Sequence, residues 1–342
     1  MTEHSSSEKE QVIKSGVYPR LSGDTERLEK LIAVLRQTKL GTQLLDDAAE
    51  AGVTITTATM HGSHGAYNDA NKLVTLAPGA SFDRQVVTLA HELRHAQQFK
   101  NGVLLNAFKD VPRDYLHSQG LIEADANAAS CVVAWDLKLQ GDSKPMEEFA
   151  EEHPLIATPF LKAAENGGVE TGQAQKDAFY GWFDDLYIRN AYEKNYLRNF
   201  ECTKRNATLA ERETAMQRSV PVTENAAKIC NINGKPYLSE KEVKEFFNRP
   251  ELTSVAHETF WAIYRNLRDV KHFDFSADAK EVMKKEGNFT IRESDYYEVA
   301  SPLRQRQTNA AAKIAEYKRK SLNSGKLSAA VIAAKRKNAL EK

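Results

Sequence analysis

The sequence predicts an α+β protein, with a small sheet and two site-bearing helices followed by a mostly α-helical region. Three observations carry this. Residues 53–59 and 72–77 are two short runs rich in β-branched and apolar residues, as strands require. Apolar residues recur at helical spacing on either side of them. After residue 145 the patterning is mostly helical, with no internal repeat.

The elements follow in order. Residues 1–20 are polar, carry Ser5-Ser6-Ser7 and mixed charge, and read as a disordered lead. Residues 24–51 form a helix with Leu28, Leu31, Ile32, Leu35, Leu44 and Leu45 as its apolar positions and Gly52 as its stop. Gly41 can divide it in two. The strand at 53–59 leads into a loop over 61–71 that holds Gly and His residues, and the strand at 72–77 follows. Ser81 then caps a helix over 81–99, with Phe82, Val86, Leu89 and Ala90 on its apolar side and Asn101-Gly102 at its end. After a connector, a second helix covers 121–139. Further on, Ser239-Glu240-Lys241-Glu242 spells a capping box. The aromatic clusters Phe179-Tyr180-Gly181-Trp182-Phe183, Tyr187, Tyr192 and Tyr196, and Phe260-Trp261-Ala262-Ile263-Tyr264 read as core. The domain reading is a lead at 1–20, a site-bearing core at 21–142, a mainly helical region at 143–300 that completes the cleft, and a basic helical tail at 301–342.

Composition excludes several classes. With 41% hydrophobic residues in 342, the chain can bury a sizeable core and is not disordered overall. No apolar run approaches the ~18 residues of a spanning helix. The first residues lack the apolar centre of a signal peptide. Cys131, Cys202 and Cys230 are few and widely spaced, which suits a reducing compartment and excludes a C-x-x-C metal site. The expected location is therefore cytoplasmic, with a secreted effector exported without a Sec signal as the alternative. The formal net charge is zero, but from Ser301 onward eleven Lys/Arg face only Glu316 and Glu341. That tail reads as a solvated basic helix or a frayed end; the sharper readings are an anionic partner, nucleic acid or a membrane surface, or recognition by an export machine.

The chemistry lies in His91-Glu92-Leu93-Arg94-His95. On a helix, residues four apart share a face, so His91 and His95 can supply two corners of a metal tetrahedron. Glu92 beside them can act as general base to a water that the metal activates. A third ligand is required. Asp110, Asp114, His117, Glu123 and Asp125 are the downstream candidates, and Glu123 is the best of them. Its helical face continues through Ala126, Asn127, Ser130 and Ala134, small residues that let one helix approach another closely. His61 and His64 form a second H-x-x-H in the loop, which reads as a surface pair.

With this motif the chain resembles the zincin metallopeptidases. The long metzincin motif is excluded, since it needs Gly at Gln98 and His at Asn101. A Glu on a second helix resembles the gluzincins. The segment Glu123-Ala124-Asp125-Ala126 after His91-Glu92-Leu93-Arg94-His95-Ala96-Gln97-Gln98 is similar to a bacterial group of metallopeptidase-like proteins of unassigned substrate. The resemblance covers roughly residues 25–140. It implies one Zn2+ per chain held by His91, His95 and Glu123, with Glu92 as base and a protein or peptide as substrate. It also implies that the strand at 72–77 is the rim of the cleft. Gluzincins often carry an acid four residues after the third ligand to orient a zinc-binding histidine. Asn127 stands there and brings no charge. Tyr115 and His117, between the two helices, are the candidates to stabilise the oxyanion, along with Tyr180, Tyr187 and Tyr192. The alternative reading is a non-proteolytic regulatory or interaction protein that keeps a zincin-like core and binds an anionic partner through its basic tail.

Overall fold

The computed structural model describes residues 19–271 and 278–292, together with 309, 312–316 and 319. Residues 1–18 and most of the basic tail, and with them the reading of a disordered lead and of a helical tail suited to an anionic partner or an export machine, lie outside the described residues. The fold is mixed α and β and dominated by helices.

The chain enters with β1 (Arg20–Ser22), α1 (Thr25–Leu35) and α2 (Lys39–Glu50). The break between the two helices falls before Gly41. Thr38 caps α2 by accepting from Gly41 N at 3.0 Å and donates to Leu35 O at 3.0 Å. A Cβ at Gly41 would lie 2.3 Å from Leu35 O, so the glycine is what lets α2 start against the end of α1. Next come β2 (Thr54–Thr57), β3 (Gly65–Asn68) and β4 (Leu73–Leu76). The sheet order is β1-β2-β4-β3, with β3 antiparallel to β4 and the other pairs parallel.

This order corrects the rim assignment. β4, in the 72–77 run, is paired on both sides, and of the two edge strands, β1 and β3, it is β3 that lies against Glu92. β3 escapes sequence reading because Gly65-Ala66-Tyr67-Asn68 has no β-branched residue and sits among glycines and histidines.

α3 (Phe82–Lys100) is capped by Ser81, which accepts from Arg84 N at 3.0 Å, and packs against β3 and β4. α4 (Pro112–Leu139) begins nine residues earlier than the sequence suggests. Pro112 suits its first turn, where no N–H is needed. The interior Gly120 does not break the helix, because it makes room for a neighbour. A Cβ there would stand 2.8 Å from Phe183 Cε1 and 3.2 Å from Trp182 Cζ3. The small face of α4 meets α3, with Ser130 Oγ donating to Val87 O at 3.1 Å.

The remaining elements are α5 (Lys144–Glu152), α6 (Pro154–Ala164), α7 (Gly168–Thr171), α8 (Gln173–Phe183), α9 (Leu186–Asn206), α10 (Leu209–Glu213), α11 (Val222–Ile229), β5 (Asn231–Ile232), β6 (Lys235–Pro236), α12 (Glu240–Phe247), β7 (Ser254–Val255), α13 (His257–Lys271), α14 (Ala279–Gly287) and β8 (Thr290–Ile291). The capping box at Ser239 forms with both of its hydrogen bonds. The larger apolar core runs from Leu28 on α1 to Leu252, with Ile314 as its last member, and takes residues from α3, α4, α6 and α8. A second core gathers Phe108, Tyr115, Tyr196, Phe200 and Phe260. α9 contributes Tyr196 and Phe200 to the second core, while Tyr192 packs against the first. No helix among the described residues is long and apolar enough to cross a membrane.

Candidate metal centre

α3 presents His91 and His95 one turn apart, and α4 brings Glu123 up to them. The two Nε2 atoms face each other at 3.0 Å. Glu123 Oε2 stands 3.3 Å from His91 Nε2, and Oε1 stands 3.5 Å from His95 Nε2. Among the described residues this is the one group of three or more such side chains whose ligand atoms all lie within 4.8 Å of one another. Glu123 Oε2 is buried and has no hydrogen-bond partner. Two imidazole nitrogens and an orphaned carboxylate oxygen that converge in this way fit a divalent cation.

The electrostatics are those of a tight cluster. Burial disfavours the His95 imidazolium, but the Glu123 carboxylate beside it reverses this and raises the imidazole to about 9. Burial also opposes the Glu123 charge, yet His95 and His91 hold its carboxyl well below the usual range. Burial pushes the Glu92 carboxyl upward, tempered by His91 and His95. The backbone N–H of Tyr67, on the edge strand, faces Glu92 and favours its charged form. β3 can lie this close to α3 because of Gly65, where a Cβ would meet Thr88 Cγ2 at 2.5 Å and Glu92 Oε1 at 3.2 Å.

Tyr192 of α9 completes the site. Its hydroxyl interacts with the Glu123 carboxylate, and burial, then Glu123, pushes that hydroxyl far above the ordinary tyrosine range. Residues 8–238, more than half of the chain and all of this site, match the family described as "Putative metallopeptidase family (DUF6782)". The chain belongs to that family. No curated protein and no solved structure matches it. Membership of a metallopeptidase family implies a metal, and the His91, His95 and Glu123 cluster offers the donors for one.

In this metallopeptidase-family chain His95 is oriented by a relay. His95 Nδ1 is 2.9 Å from Gln98 Oε1. Gln98 Nε2 donates to Asp125 Oδ2 at 2.7 Å and to Ile122 O at 2.9 Å. Asp125 also accepts from Arg94 Nε at 2.7 Å, Arg94 Nη2 at 3.0 Å and Tyr237 Oη at 2.6 Å. Arg94 Nη2 reaches on to the carbonyls of Ile229 at 2.6 Å and Asn231 at 2.7 Å. The outer shell of the site is thus tied to the chain just before β5.

The expectation that Asn127 orients a histidine is corrected. Its Nδ2 donates to the Glu123 carbonyl at 2.9 Å, back along its own helix. Gln98 occupies that role instead. Its visible signal was a third α3 residue one turn beyond His95, which sequence reasoning used only to exclude metzincins.

Tyr115 and His117 lie within α4 rather than in a connector, eight and six residues before Glu123. At 1.5 Å per residue that places them roughly 12 Å and 9 Å back along the helix axis. Tyr115 stacks on Tyr196 with ring centres 4.9 Å apart. His117 donates from Nε2 to Leu252 O at 3.0 Å and packs on Phe247. Tyr187 is largely exposed. His64 Nε2 lies 3.4 Å from Glu152 Oε1, and no group of three metal-binding side chains forms around it or His61 among the described residues.

Proposed function

We propose that this protein is a zinc-dependent peptidase of the gluzincin type, acting on a protein or peptide. The convergence of His91, His95 and Glu123 within 4.8 Å, with Glu92 beside them and an edge strand above, is the observation that carries this reading. Those three side chains would hold the zinc. Bound there, it supplies Lewis-acid activation of water and of the scissile carbonyl.

The chain's own residues do the rest. Glu92 takes the proton from the attacking water and passes it to the leaving amine, a task suited to a carboxyl raised by burial. The Tyr67 N–H that faces it holds it under the edge strand. Tyr192 would serve as the oxyanion donor, its one hydroxyl proton turning from the Glu123 carboxylate to the negative charge that develops on the carbonyl oxygen. Ala77 N donates to His64 O at 2.8 Å, so by alternation Gly65 and Tyr67 turn their main-chain groups away from β4; the Tyr67 N–H faces Glu92, which leaves Gly65 N–H and C=O and Tyr67 C=O for a partner strand. A substrate backbone can add to that edge as a further strand.

Metal content and cleavage together test the reading. The expected results are about one zinc per chain, lost in Glu123→Ala, and no cleavage by Glu92→Gln despite retained metal. Cleavage by Glu92→Gln at the wild-type rate would overturn it.

A further inference from the structure

A cavity of about 40 Å³ shares one wall residue, Tyr192, with the candidate metal centre. Its walls come from Gln119 and Gly120, the α4 turn just before Glu123, from Trp182 and Phe183 at the end of α8, and from Arg189 and Tyr192 on α9. Tyr192 belongs both to this wall and to the site, since its hydroxyl reaches Glu123. Gln119 stands one helical turn, roughly 6 Å, from Glu123. A group seated here touches Tyr192, the residue that the cavity shares with the site.

Two buried polar groups face this space. Arg189 is 9% exposed and donates from Nη2 to Glu251 O at 2.9 Å. Gln119 is 8% exposed, and its Oε1 has no hydrogen-bond partner. The other ionisable groups of the lining are committed. Glu193 pairs with Arg292 and accepts from Ala256 N at 3.2 Å. His117 donates to Leu252 O.

We propose that this cavity takes the acidic side chain of a substrate, an aspartate or glutamate beside the scissile bond, through Arg189 and Gln119. The proposal rests on the peptidase reading above and names its substrate class. A guanidinium fork matches a carboxylate in shape and charge. The Gln119 carboxamide presents its two N–H donors to the same carboxylate after a half-turn of the amide. Burial, then Arg292, pushes the Arg189 guanidinium down to about 10, even with Glu193, Glu251 and Asp184 in range. An incoming carboxylate relieves that deficit. An apolar side chain would leave the Gln119 oxygen unpaired and bring Arg189 no counter-charge, and a basic one would face Arg189.

Two readouts on the full chain test this. The first is cleavage of a peptide mixture, scored as the ratio of Asp/Glu to Asn/Gln at each position flanking the cut. The wild-type ratio at one position is expected to reach at least ~10-fold and to fall toward one in Arg189→Met. Gln119→Leu, which leaves the Glu251 bond intact, is expected to lower it partly and serves if Arg189→Met fails to fold. The second readout is titration calorimetry with N-acetylglutamate and N-acetylglutamine, which needs no turnover. Cleavage with no acidic preference, or a preference unchanged in both variants, overturns the pocket and leaves the peptidase reading standing. No cleavage at all, with N-acetylglutamate favoured in an Arg189-dependent way, overturns the peptidase reading and supports the pocket. Neither cleavage nor discrimination overturns both.

Discussion

Asp125→Ala is expected to remove about 3–5 kcal/mol of stability, the usual cost of breaking a buried ion pair from one side. The carboxylate is fully buried and Arg94 is 3% exposed. Its two oxygens accept four hydrogen bonds, two from Arg94 and one each from Gln98 and Tyr237. That uses the whole capacity of a carboxylate. Burial disfavours the Arg94 charge, and Asp125 more than restores it. With alanine in place, the guanidinium keeps its bonds to the Ile229 and Asn231 carbonyls but loses its counter-charge, and the Tyr237 hydroxyl is orphaned. Such a loss is a large part of the ~5–15 kcal/mol that holds a typical domain folded. Urea unfolding at pH 7, followed by circular dichroism, measures it. The double variant Arg94→Met/Asp125→Leu removes both charges and is expected to recover most of the loss. If Asp125→Ala shifts stability by less than ~1 kcal/mol, the pair is not the buried anchor described above.

Three further outcomes follow from the same geometry. Gln98→Leu breaks the link between His95 and Asp125 and is expected to weaken zinc affinity by ~10–100-fold in competition with a chromophoric chelator; an unchanged affinity would remove Gln98 from the relay. Tyr192→Phe is expected to lower kcat by ~10²–10³-fold with a smaller effect on KM, and a variant with wild-type kcat would deny the hydroxyl an oxyanion role. His117 is kept neutral by burial, which lowers its imidazole to about 4 from an ordinary 6.5. Below pH 6.5 the unfolded chain takes up a proton that the folded chain refuses, so stability is lost as the pH falls from 6.5 towards 4, by up to about 3 kcal/mol from this group. His117→Gln is expected to flatten that part of the profile, and matching pH slopes in the two chains would refute the assignment.

Local rules made the α3 half of the site legible. His91 and His95 share a face because helical geometry fixes the i, i+4 relation, and Ser81 announces the start of the helix. The small residues after Glu123 signal a close helix approach, and the Ser130 bond to Val87 O is that approach. Reading failed where a residue's meaning depended on a distant partner. Gly120 looks like a helix breaker until Phe183 and Trp182 are placed against it. Asn127 looks like an imidazole partner until its own helix claims it. β3 lacks strand composition and is held as a strand by pairing with β4.

The sequence by itself determined the α+β class, the helix with its two facing imidazoles, and Glu92 between them, because spacing along one helix is set by bonds within that helix. Only the tertiary structure decided that β3 is the edge strand against Glu92, that Gln98 and Asp125 orient His95, and that Tyr192 reaches Glu123. The links that anchor the site, Gln98 to Asp125 and Tyr237 to Asp125, join residues 27 and 112 positions apart. No local periodicity encodes contacts at that range. They arise from which faces the collapsed chain brings together and from the requirement that each buried charge find its partner.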